Sequence, residues 1–75
     1  MSSIMSGQWD KAIERFEIIH ELEPNNLEAI FLLADVNERK NDKEKAIYWY
    51  KQLKNLITDP QVVLEVDKRI KDLTN

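Results

Sequence analysis

A chain of 75 residues can form one small domain, which buries only about 60% of the surface that its unfolded chain exposes. The absence of cysteine excludes disulfide bonds, thiolate metal ligands and a cysteine nucleophile. A net charge of −3 is too small to favour a nucleic-acid partner, and no apolar run approaches the ~20 residues of a membrane span. The N-terminus has neither the basic residues nor the apolar segment of a signal peptide, so the cytoplasm is the default location that we expect.

The charges are unevenly distributed along the chain. Residues 1–38 contain eight acids and two bases (net −6), whereas residues 39–75 contain six acids and nine bases (net +3). Such a polarity can orient a partner or a second copy of the chain. A solvated helical surface also contains many charges, and the pattern is equally compatible with that simpler explanation.

The first predicted helix spans Gly7–Glu23, where apolar residues recur at every third or fourth position. It ends before Pro24, because the residue preceding a proline avoids helical dihedral angles. Its apolar stripe consists of Trp9, Ala12, Ile13, Phe16, Ile19 and Leu22.

Three more helices are predicted after this one. Asn25 or Asn26 can cap the second, Asp42 the third and Asp59 the fourth, which has Pro60 at its first position. No segment alternates with period two for long enough to form a strand. The sequence therefore predicts an all-α fold of four helices, in which short turns make successive helices antiparallel neighbours.

The sequence repeats itself with a period of 34 residues. A small residue, an aromatic residue four positions later and two aliphatic residues beyond it recur, which indicates a shared packing requirement. The matched positions are Ala12 and Ala46, Ile13 and Ile47, Phe16 and Tyr50, Ile19 and Leu53, and Leu22 and Leu56.

The stretch "GQWDKAIERFEIIHELEPNN" resembles the second helix and exit turn of a tetratricopeptide repeat (TPR). The residues that match the family pattern are Gly7, Trp9, Ala12, Phe16 and Pro24. Residues 27–56 resemble a further repeat, with Ile30-x2-Leu33-Ala34-x2-Asn37 on its first helix and Ala46-x3-Tyr50 on its second. The departures from the family pattern are Ile30 for Trp, Ala34 for Gly, Asn37 for Tyr, Asn41 for Gly and Thr58 for Pro.

The resemblance implies a single TPR-like domain over residues 1–75, as a fragment of an α-solenoid. Residues 7–26 would be the second helix of a partial repeat, 27–59 a full repeat and 60–75 a capping helix. Projection by one period places the start of the missing first helix about eight residues before Met1, so residues 1–6 would belong to the end of that helix. Charged Asp67 and Lys68 stand where a further repeat would bury apolar residues, which favours a terminal cap.

The resemblance also implies a function, since TPR proteins bind peptides or partner domains on the face formed by the first helix of each pair. The positions on this face are Glu28, Phe31, Asp35, Glu38 and Arg39. Mostly acidic, they do not form the basic clamp with which some family members hold a terminal carboxylate. We expect a basic or amphipathic protein segment as the partner, with Phe31 as an apolar anchor.

An alternative prediction is self-association. One and a half repeats and a cap fall below the roughly three repeats that are usually needed for stability. The first helix should therefore expose Trp9 and Ile13, either to the rest of a longer array or to another copy in a homo-oligomer.

Other functions receive less support from the sequence. His20 has neighbouring carboxylates but no second histidine or cysteine, so a solvated histidine is favoured over a metal ligand. The basic group of Arg39, Lys40, Lys43 and Lys45 spans a turn and could bind phosphate or an acidic peptide, but a solvated turn is favoured. The sequence thus predicts a non-catalytic protein-interaction module without a cofactor or metal.

Overall fold

Four α-helices make up the structure, a computed structural model that describes the backbone of residues 2–74 and the side chains of residues 8–74. They are α1 (Ser2–Leu22), α2 (Leu27–Arg39), α3 (Lys43–Leu56) and α4 (Pro60–Thr74). No strand occurs within these residues. The predicted all-α fold with four helices is therefore confirmed.

The N-terminal helix is longer than the sequence indicated. α1 runs without interruption from Ser2 to Leu22, and residues 2–6 are continuous with it instead of ending a separate preceding helix. Gly7 lies inside the helix, where glycine costs about 1 kcal/mol relative to alanine without necessarily breaking the helix. Met1 lies outside the described residues.

Three of the helices begin at the caps that the sequence indicated. The side-chain oxygens of Asn26 and Asp42 each accept the backbone N–H of the third residue after them, at 3.1 and 3.3 Å. The side chain of Asp59 accepts the backbone N–H two residues later at 2.9 Å. Each bond satisfies a backbone donor that has no partner within its helix.

The turn after α2 depends on one residue with left-handed backbone geometry. Asn41 has a φ of 75°, and its N–H donates to the carbonyl of Glu38 at 3.0 Å. The N–H of Asp42 donates to the carbonyl of Asn37 at 2.8 Å. This pair of bonds is a Schellman motif, which ends α2 and turns the chain towards α3.

Each helix packs against its neighbours in the chain: α1 on α2, α2 on α3, and α3 on α4. The resulting body measures 40 × 33 × 15 Å between Cα atoms. The last three helices share one buried cluster, formed by Ile30, Ala34, Ala46, Tyr50, Leu53 and Val66. None of the described side chains of α1 belongs to this cluster, although α1 covers another side of α2. The core is therefore centred on α2 and α3.

Candidate functional site

The five predicted partner-binding residues all lie on α2, and α4 completes the surface around them. Phe31 is 38% exposed, and the guanidinium of Arg69 from α4 lies over its ring, 6.0 Å from the centroid. Arg69 also approaches the Glu38 carboxylate, with Nη1 and Oε1 3.8 Å apart. We call the surface formed by these five residues of α2 and by Arg69 the α2–α4 face.

A polar cluster at one end of this face holds three helices together. The hydroxyl of Tyr50 on α3 donates to Glu38 Oε1 at 2.8 Å and accepts from Arg69 Nη1 at 3.4 Å. Burial, together with the bond to the Glu38 carboxylate, raises the pKa of Tyr50 to about 12. The bond to Tyr50 contributes most to a raised pKa of Arg69. Glu38 is thus committed to a structural bond, which the sequence did not indicate.

The acidic character predicted for the α2–α4 face is largely neutralised by neighbouring bases. Arg39 Nε donates to Asp35 Oδ2 at 3.0 Å, and Arg69 compensates Glu38. Among the described side chains, Glu28 forms no ion pair and remains exposed. The free negative charge is therefore concentrated at the N-terminal end of α2.

An apolar cleft of about 480 Å³ opens next to Glu28, between α2, the end of α3 and the start of α4. Its lining residues are Leu27, Glu28, Phe31, Leu53, Leu56, Ile57, Thr58, Asp59 and Val62. Four of the large apolar side chains left exposed by the fold converge here: Leu27, Phe31, Leu56 and Val62. The only charged side chains in the lining are the carboxylates of Glu28 and Asp59.

Of the residues that line the cleft, the sequence predicted only Glu28 and Phe31 as partner-binding residues. Leu56 and Val62 lie on either side of the turn between α3 and α4, and only the angle of that turn brings them next to α2. One feature of the sequence could have indicated the cleft. Leu27, Leu56 and Val62 are apolar residues at helix ends, next to polar turn residues.

The residues predicted for self-association are less exposed than expected. Trp9 and Ile13 are both half-buried, whereas the exposed large apolar residues among the described side chains of α1, residues 8–22, are Ile18 and Leu22. A separate depression on α1, of about 380 Å³, is lined by Lys11, Ala12, Arg15 and Phe16. We call these four residues the open face of α1.

The sequence predicted a solvated His20, but the structure places its side chain between two helices. It is half-buried, and its ring packs edge-on against Trp49 of α3, with centroids 5.1 Å apart and an interplanar angle of 83°. Edge-to-face aromatic pairs of this kind contribute to packing. The contact is a single side-chain link from α1 to α3, whose described backbones do not pack against each other.

The basic turn considered for nucleic-acid binding is partly neutralised. Lys40 Nζ donates to Asp10 Oδ1 of α1 at 2.6 Å, and this hydrogen bond raises the pKa of Lys40. Arg39 is paired with Asp35, which leaves Lys43 and Lys45 as the exposed bases of the group. No helix described by the structure is long and apolar enough to cross a membrane.

Comparisons with family models, curated proteins and solved structures find no match for this chain. The resemblance to the TPR family therefore stays a prediction, which depends on the 34-residue spacing and the residues quoted above.

Proposed function

We propose that this chain is a non-catalytic, TPR-like protein-binding module that holds a partner segment in the apolar cleft and along the adjoining α2–α4 face. The observation that carries this proposal is the convergence of four exposed apolar side chains on one cleft. Exposed apolar patches on small proteins often mark binding sites, and concave ones are the most effective. Filling the cleft with one large apolar side chain would contribute roughly 1.5–3 kcal/mol.

The charges around the cleft favour a particular kind of partner. Glu28 and Asp59 line the cleft, whereas Asp35 and Glu38 further along α2 are compensated by arginines. A partner would therefore need a positive charge at one end only. We infer a segment in which a large apolar residue is next to a lysine or arginine.

The polar cluster around Tyr50 has a structural part in the proposed module. Burial and the bond to Glu38 raise the pKa of Tyr50, so its hydroxyl stays protonated and available as a donor near neutral pH. That hydroxyl is also bonded to both Glu38 and Arg69 within the fold. The cluster stiffens the α2–α4 face, and a rigid face loses less entropy when a partner binds.

A peptide-selection experiment tests this proposal. A display library of random peptides would be selected on the immobilised 75-residue chain, and synthetic versions of the enriched peptides would be titrated by calorimetry. We expect enrichment of a large apolar residue beside a lysine or arginine. Enriched peptides without either feature would contradict the inferred partner chemistry.

Matched variants locate the binding site. Leu56→Ser should weaken binding by about tenfold, because it removes an apolar wall of the cleft. Leu64→Ser, the same change at a 64% exposed position of α4 outside the cleft, should leave affinity unchanged. Glu28→Gln should weaken binding, while Glu44→Gln, in the first turn of α3, should not. Equal effects within both pairs would refute the site.

A further inference from the structure

The internal repeat identifies a face of α1 that none of the described helices covers. A shift of 34 residues superposes the sequence of α1 on that of α3, where α2 packs over Ala46 and Tyr50. Both of these residues are 0% exposed. Their counterparts on α1, Ala12 and Phe16, are only half-buried and line a depression. The fold thus contains a helix-binding surface that is filled on α3 and unfilled on α1.

The residues around this surface define what would fill it. Alanine at position 12 permits the close approach of a helix, as Ala46 does for α2. Lys11 and Arg15 border the depression, and neither forms an ion pair with any described side chain. We propose that the open face of α1 binds an amphipathic helix of a partner protein, with acidic residues beside its apolar stripe. This site is separate from the apolar cleft and does not depend on it.

A second copy of the chain is a poorer occupant. α4 has an apolar depression on which a second copy could dock, lined by Leu64, Asp67, Lys68, Ile70 and Lys71. Two of its three charged residues, Lys68 and Lys71, would repel Lys11 and Arg15. Asp67 is already bonded to Lys54, with Nζ and Oδ1 2.7 Å apart. Charge complementarity therefore favours a different, acidic helix.

The α2 segment itself supplies a probe with the required chemistry. A synthetic peptide of residues 26–39 contains the helix that covers the equivalent face on α3, and it bears three acids and one base. Isolated helices of this length are marginal in water, so binding should be accompanied by a gain of helix. We would measure the fluorescence anisotropy of the labelled peptide with the complete chain, and helix content by circular dichroism.

Charge reversal tests the assignment. The double variant Lys11→Glu/Arg15→Glu should weaken peptide binding by about tenfold. A peptide with Glu28→Lys and Asp35→Lys should regain affinity for that variant. The control Lys45→Glu/Lys51→Glu changes two exposed bases of α3 and should bind the original peptide like the natural chain.

Three results would overturn the proposal. The first is an absence of saturable binding while circular dichroism shows the chain to be folded. The second is binding that Leu56→Ser abolishes and Lys11→Glu/Arg15→Glu does not affect, which would assign the peptide to the apolar cleft. The third is a dimer in sedimentation equilibrium that Ala12→Glu converts to a monomer, which would make a second copy the occupant.

Discussion

The hydroxyl of Tyr50 joins three helices, and Tyr50→Phe removes this oxygen while keeping the packing of the ring. The ring is fully buried, and its hydroxyl bonds to Glu38 of α2 and Arg69 of α4. The repeat-related position on α1 is Phe16, so a phenylalanine suits this place in the repeat. Any loss of stability should therefore come from the hydrogen bonds and not from a cavity.

The size of this loss can be estimated from the geometry. A hydrogen bond to a charged group contributes about 1.5–3 kcal/mol to stability. Because the Glu38 side chain is 36% exposed, water can replace the lost donor, and we expect about 1 kcal/mol. For a domain of this size such a change lowers the melting temperature by roughly 4–8 °C.

The raised pKa of Tyr50 adds a dependence on pH. Below pH 10 the phenol is protonated in both the folded and the unfolded chain, so its contribution to stability is complete. Folding moves the pKa from 10.0 to about 12, and between these values the unfolded chain loses its proton first. Stability should therefore fall across this pH window, by about 1–2 kcal/mol after allowance for solvent screening. Tyr50→Phe should remove this part of the decline.

Urea unfolding followed by far-UV circular dichroism measures both effects, at neutral pH and from pH 10 to 12. Tyr48→Phe is the matched control, because it deletes the same atom from a side chain that is 54% exposed. The reasoning would be refuted if both variants unfolded at the same urea concentration and lost stability equally at high pH.

Two further predictions concern packing and the turn after α2. Ala46→Leu should cost about 1–3 kcal/mol through overpacking, whereas the repeat-related Ala12→Leu should cost less than half as much because Ala12 is only half-buried. Equal shifts in the urea midpoints would contradict the unfilled face on α1. Asn41→Ala should lower stability by about 1 kcal/mol, since alanine disfavours the φ of 75°, and Asn41→Gly should change it by less than half that amount. Thermal melts that ranked alanine above glycine would exclude a left-handed cap.

The sequence predicted the helices well because their signals are local. Caps at Asn26, Asp42 and Asp59 act within one turn, and apolar spacing reports directly on which face is buried. The start of α1 was misjudged because the TPR resemblance assigned residues 1–6 to the end of a preceding helix, whereas they are continuous with α1. Such a segment looks the same in sequence whether it extends a helix or ends another one.

The candidate site was predicted less completely, since it depends on contacts between distant residues. Phe31 was found from the repeat pattern alone. Arg69 could not be distinguished in sequence from the other bases of α4, and its role depends on reaching across to α2. Glu38 was assigned to a partner for the same reason, because its bond with Tyr50 becomes visible only in three dimensions.

The neighbour-to-neighbour order of helix contacts also determines how the molecule opens. α1 packs on α2, and none of its side chains in residues 8–22 belongs to the cluster shared by the other three helices, so α1 can detach while that cluster stays intact. Local opening of this kind needs less free energy than global unfolding. The backbone amides of α1 would therefore exchange with solvent sooner than those of α2 and α3. A helix bound to α1 would stabilise this end of the molecule. Its binding would therefore slow amide hydrogen exchange throughout α1.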